Sequence, residues 1–122
     1  MFSHSHEFPP MESREKKYIQ FKYAVCLNKI IAANKVKAEK DKANKTKDHK
    51  LITSLRKLEA ASGISFPIIQ NITKGSKNPA LTTIVAIAEG LEISPRQFFS
   101  FFDEITEEEV KLAMAKNLKK KK

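Results

Sequence analysis

With 122 residues the chain is long enough for one small domain with appendages and too short for two full cores. Hydrophobic residues make up 41%, with three Gly and no Trp, a balance that favours a modest all-helical core. The formal net charge of +9 suits nucleic acid or an anionic membrane surface, yet no apolar run approaches the ~20 residues a bilayer span needs. Cys26 is the sole cysteine, which excludes an internal disulfide and fits a reducing compartment. The start, MFSHSHEFPPMESRE, has neither a basic nor an apolar signal region, so a cytoplasmic location is expected.

Residues 1–12 read as a flexible arm, with two Pro, two Ser and two His. His4 and His6 have no Cys or His cluster to join, so solvated histidines are expected there and no metal site. Ser13 can cap a long first helix with Lys16 and Lys17 in its first turn. Tyr18, Phe21 and Val25 recur at helical spacing, and Ile30, Ile31 and Asn34 continue the pattern. Its aromatics, Tyr18, Phe21 and Tyr23, either pack on the core of their own chain or meet a second subunit. Residues 36–50 follow as a lysine-rich segment, with Lys37, Lys40, Lys42, Lys45, Lys47 and Lys50. Val36, Ala38 and Ala43 are its only apolar side chains, too few to bury a face. It can prolong the helix or form a loop, and Asn44, Thr46 and Asp48 argue that any helix ends before them. Residues 13–50 hold twelve of the 23 basic residues against four acids, so most of the excess charge lies here.

The segment Ser54 to Gly75 gives two short apolar faces. Leu55, Leu58 and Ala61 form the first; Ile64, Ile69 and Ile72 form the second. Ser54 can cap the first helix and Gly63 can take the left-handed turn that ends it. Ser65 can cap the second, with Pro67 in its first turn, and Gly75 closes the unit ahead of Asn78-Pro79. Two short helices joined by a turn containing Gly make a helix-turn-helix arrangement. Ala80 to Leu91 reads as the next helix, with Ile84, Ile87, Ala88 and Leu91 inward; Thr82 and Thr83 can lend a hydroxyl to a start that lacks a good cap. Gly90 late in that helix costs about 1 kcal/mol against Ala. Ser94-Pro95 starts another helix, carrying Phe98, Phe99, Phe101 and Phe102, which cover more than one side of it. Thr106 and Glu109 form a capping box for a last helix with Val110, Ala113, Met114 and Leu118 on one strip. Its glutamates precede its lysines, as the helix dipole favours.

From Ser54 to about Phe99 the chain resembles the lambda-repressor-like (XRE) family of bacterial and phage DNA-binding domains. Leu58, Gly63-Ile64-Ser65, Ile69, Ile72, Gly75, Asn78-Pro79, Leu81, Thr83-Ile84, Ile87-Ala88, Leu91, Ser94 and Phe98-Phe99 carry the likeness. The resemblance implies an all-α, five-helix domain, here with an extended N-terminal helix and an added C-terminal helix. The implied organisation is an arm over 1–12, a helix-turn-helix domain over 13–102 with the insertion at 36–50, and a C-terminal helix and Lys tail over 103–122. Leu27 to Lys35 correspond to the family's first helix. Four positions depart from the family pattern. Glu59 stands where Ala is usual and must reach the edge of a helix contact. Leu55 replaces a backbone-touching Gln. Thr73 and Lys35 stand where a Glu–Arg pair is common.

The resemblance implies a homodimeric transcriptional regulator of repressor type that binds double-stranded DNA at a pseudo-palindromic site. On matched positions Phe66, Pro67, Gln70 and Asn71 face base edges. Ser54, Ser65, Lys74, Ser76, Lys77 and Asn78 are the phosphate candidates, with the insertion lysines as reinforcement. Gln and Asn suit adenine, while Phe and Pro touch surfaces such as the thymine methyl, so an A/T-leaning half-site is expected. No enzyme motif is present: there is no phosphate-binding Gly loop, no metal spacing and no nucleophile triad, so no catalytic residue and no cofactor is expected. The alternatives are a protein-interaction module on the same fold, favoured by the apolar Phe66-Pro67 start, and an antitoxin-type autorepressor. RNA binding would want exposed stacking aromatics, and only Phe66 offers one.

Overall fold

The computed structural model describes residues 13–43 and 51–120. Among them lie six helices and no strand: α1 (Ser13–Ala43), α2 (Leu55–Ser62), α3 (Phe66–Thr73), α4 (Leu81–Gly90), α5 (Pro95–Glu104) and α6 (Glu107–Lys120). None is long and apolar enough to cross a membrane. The N-terminal arm with His4 and His6, the lysines at 45, 47 and 50, and the last two lysines lie outside the described residues. Of the lysine-rich segment, residues 36–43 are the end of α1.

α1 is the strut of the molecule because its apolar residues serve two clusters in succession. Leu27 and Ile31 pack with Ile52, Leu58, Ile69, Ile72, Ile87 and Leu91 under the helix-turn-helix. Phe21 and Cys26 pack with Ile84, Ala88, Phe98, Ile105 and Val110 at the other end. Of the α1 aromatics, Phe21 is buried by its own chain, and Tyr18 and Tyr23 are half-buried against the same cluster. Tyr23 sits with its ring centroid 4.7 Å from Phe102 and 6.5 Å from Phe98, and Lys22 Nζ lies 4.6 Å above the Phe102 ring. Of the four clustered phenylalanines Phe98 is buried, Phe99 and Phe102 are half-buried against Tyr23, and Phe101 is exposed. From Ala32 to Lys42 no α1 residue is buried, so this stretch is a solvated extension carrying Lys35, Lys37, Lys40 and Lys42. α6 lies along α1, held by the fully buried Val110 and by Lys29 Nζ, which donates to Glu109 Oε2 at 2.6 Å. That bond, then the Thr106 N–H donating to the same carboxylate, holds Glu109 below the usual carboxylate range.

Several expectations are corrected. Ala61 is exposed and Ser62 takes the contact side of α2 instead: a Cβ on Gly90 would lie 3.0–3.1 Å from Ser62 atoms, two of them backbone. Gly90 is thus the close-approach point of α4 on α2. Leu118 is exposed rather than part of the α6 strip, which ends with Met114. No side chain caps the start of α4. α4 also ends on a left-handed residue that is not glycine, Glu92 with φ 60°. The α1 residue that reaches Thr73 is Asn28, whose Nδ2 donates to the Thr73 carbonyl at 3.1 Å, about two turns before Lys35. Asn34, beside Lys35, donates to the Ile52 carbonyl at 2.9 Å.

Gly75 carries the tightest constraint in the fold. It has φ 74°, and a Cβ there would lie 2.6 Å from the Phe21 ring. Gly63 has φ 75° but open space around it. Left-handed strain costs roughly 1–2 kcal/mol on its own, so Gly63→Ala should lower stability by about that much and Gly75→Ala by clearly more, read from denaturation midpoints. Cys26 is fully buried with Sγ 3.9 Å from the Phe98 carbonyl, and burial pushes its thiol up to about 12, against the opposing pull of Lys22 and Lys29. A thiol reagent at pH 8 should therefore label the native chain at only the rate of global opening and label the denatured chain at once. Rapid native labelling would contradict this packing.

Candidate nucleic-acid interface

The two short helices at the middle of the chain, α2 and α3, are set by their ends. Ser54 is extended (φ −150°, ψ 161°) and its Oγ accepts the Lys57 N–H at 3.2 Å, which starts α2. Gly63, left-handed, stops it and donates to the Glu59 carbonyl at 3.0 Å. The chain then turns through three residues into α3. Ser65 stands at the cap position but its side chain makes no capping bond. The expected cap is replaced from across the turn: Glu59 Oε2 accepts the Phe66 N–H at 3.0 Å. Glu59, a carboxylate at a tight helix contact, thus reaches the rim and satisfies the first donor of α3.

α3 ends in a Schellman arrangement. The Gly75 N–H donates to the Ile72 carbonyl and the Ser76 N–H to the Asn71 carbonyl, each at 3.0 Å. Between these ends Ile69 and Ile72 are 0% and 1% exposed, and this fixes the rotation of the helix about its axis. An isolated helix of eight residues is marginal in water, whereas burying two isoleucines contributes about 1.5–3 kcal/mol each. Tertiary burial decides the setting.

The opposite face follows from that setting. Pro67 and Asn71 are exposed, and Phe66 and Gln70 are half-buried at the margins. All four expected base-facing residues therefore share the outer side of α3, which carries no charged residue. The loop after Gly75 presents Ser76, Lys77 and Asn78, all exposed, with Lys74 exposed just before it. Ser76 Oγ also donates to the Asn71 carbonyl at 3.2 Å, which ties that loop to the outer face. Ser65 is exposed, while Ser54 is half-buried and its hydroxyl is committed to the α2 cap. The first N–H of α3, often an anion site, is already taken by Glu59.

One feature has no sign in the sequence. The Arg56 guanidinium carbon lies 3.7 Å from the centroid of the Phe66 ring, and Arg56 Nη1 is 3.4 Å from Glu59 Oε1. Three residues from two helices thus converge at the start of α3. No residue periodicity announces a contact between positions 56 and 66, because it depends on how the turn folds back. The stack also covers one face of the only aromatic on α3. Beyond this centre, Lys57 Nζ donates to Thr53 Oγ1 at 3.0 Å. Among the described residues no group of three or more His, Cys, Asp or Glu side chains could hold a metal ion.

Residues 48–98 match a family described as helix-turn-helix, which takes in α2 to α4 and the start of α5. Comparison with curated proteins and with solved structures gives no match. Glu59→Ala should lower stability by about 1 kcal/mol and speed hydrogen exchange at the Phe66 amide, whereas Glu59→Gln, which keeps an acceptor, should change either much less. Equal effects of the two substitutions would show that the carboxylate does not cap α3.

Proposed function

We infer from residues 48–98, a helix-turn-helix domain of the lambda-repressor-like (XRE) type, that this chain is a transcriptional regulator that reads double-stranded DNA with α3. The observation that carries the reading is the uncharged outer side of α3 flanked by exposed cations, Arg56 and Lys57 before it and Lys74 and Lys77 after it. In this class of motif the second helix lies in the major groove with its N-terminal residues at base edges, while the first crosses the backbone. Phe66, Pro67, Gln70 and Asn71 then supply the base contacts. Asn71 and Gln70 offer the donor–acceptor pair that suits adenine, and Phe66 and Pro67 offer apolar contact to the thymine methyl.

Phosphate contacts come from Ser65, Lys74, Ser76, Lys77 and Asn78, with Ser54 contributing at the α2 end only through the hydroxyl proton that its capping bond leaves over. The exposed lysines of the α1 extension add long-range attraction. One such domain covers about half a turn of DNA, so a homodimer on a pseudo-palindrome with half-site centres ~34 Å apart supplies the specificity. Exposed Leu112 and Leu118 on α6 and Val36 on α1 are available for that association. Occupancy of such a site blocks transcription, the repressor mode. The absence of charge on α3 itself favours one second reading, a protein-binding face on the same fold; the four flanking cations weigh for DNA.

Selection from random duplex DNA at two salt concentrations tests the proposal. An A/T-leaning half-site and an affinity that falls linearly in log–log with salt are expected. Arg-type, G-rich half-sites, or no enrichment at either salt, would overturn it. Lys77→Ala should weaken binding to every duplex alike, about tenfold or less, and reduce the salt slope by about 1; Asn71→Ala should instead erase discrimination at one position. Competition between the selected duplex and a scrambled one reads both.

A further inference from the structure

We propose that Arg56 is a phosphate-binding residue, its guanidinium held over Phe66 and against Glu59 so that its free edge grips the DNA strand beside the start of α3. This rests on the duplex-binding reading above and adds a contact that it does not contain.

Taken singly, the contacts of Arg56 are ordinary. An exposed cation–π pair and an exposed ion pair each contribute little on their own. Their convergence is what sets Arg56 apart. The guanidinium carbon lies 3.7 Å from the Phe66 ring centroid while Nη1 lies 3.4 Å from Glu59 Oε1, so two contacts from two helices restrain the same group. The Arg56 side chain is nevertheless 72% exposed. A guanidinium has five N–H donors in a rigid fork, and Glu59 engages only Nη1, so donors remain open to solvent. Such a side chain loses little further rotamer freedom on binding, and a preset fork matches the paired oxygens of a phosphate.

Position and charge both select phosphate as the ligand. Arg56 lies in the first turn of α2, the helix that crosses the backbone in this docking geometry, rather than on the helix that enters the groove. Glu59 meanwhile places a carboxylate at the end of α3 that would approach the duplex, where its charge alone would repel a phosphate. Arg56 stands against that carboxylate and neutralises it. The same Glu59 occupies the Phe66 N–H, the donor an approaching phosphate would otherwise use. The anion contact at this end is thus transferred from the backbone to a side chain.

The test uses the full chain, a duplex enriched by the wild type and a scrambled duplex, with dissociation constants measured over a salt series. Arg56→Ala should weaken binding to both duplexes by about tenfold at low salt and flatten the log–log salt slope by about 0.9. Arg56→Lys should keep the slope and recover only part of the affinity. Adding Glu59→Gln to Arg56→Ala should restore part of the loss, since the uncompensated carboxylate is then gone. Should Arg56→Ala melt early, Arg56→Met, which keeps an apolar stem over Phe66, takes its place. Unchanged affinity and slope would overturn the assignment. So would a change of preference at one base pair with the slope intact, because Arg56 would then read a base. If the wild type binds no duplex at all, the duplex-binding reading and this contact fall together; if the wild type binds and Arg56→Ala matches it, only this contact falls.

Discussion

The rotational setting of α3 governs everything else about the site. Ile69 and Ile72 are driven into the cluster formed by Leu27, Ile31, Leu58 and Ile87, and no other side of an eight-residue helix could be buried there at comparable gain. Once that face is fixed inward, Pro67 and Asn71 must point out, with Phe66 and Gln70 beside them. The outer face is therefore a consequence of packing, and its chemistry is whatever the sequence leaves at those four positions.

The turn between α2 and α3 is tuned by a residue that sequence reasoning marks as out of place. Glu59 sits on the inner shoulder of α2, where a small side chain would pack with least trouble. Its carboxylate escapes to the rim, where the Phe66 N–H and Arg56 receive it. A group that would be costly if buried without partners instead does the capping that Ser65 leaves undone. The missing Glu–Arg pair is resolved in the same economical way. Asn28 meets the Thr73 carbonyl with a neutral hydrogen bond, so α1 is still tied to the end of α3 without a charge in the contact.

Much of this was legible from residue order. The Ser54 and Ser94 caps, the Gly63 and Gly75 stops, the Thr106–Glu109 box and the inward isoleucines are local patterns, and local patterns survive into the fold. What was not legible depended on contacts far apart in the chain. Ala61 turned outward because α4 approaches α2 at Gly90, against Ser62. How the α1 aromatics pack within the chain depended on where α5 and α6 dock, which brings Tyr23 against Phe98 and Phe102. The Arg56–Phe66 stack needs the turn closed before the two residues meet at all. Glu92 in the left-handed region had no glycine to announce it.

Chemical-shift mapping of the amides, the Arg Nε–H groups and the Ile methyls of the full chain, titrated with its selected duplex at low salt, shows which face meets DNA. Saturable shifts are expected at residues 65–67, 70, 71 and 74–78, with the Arg56 side chain among them, and silence at the buried Ile69 and Ile72 side chains. Shifts confined to α6 and the outer side of α1, with α3 unmoved, would contradict the docking of α3 on DNA.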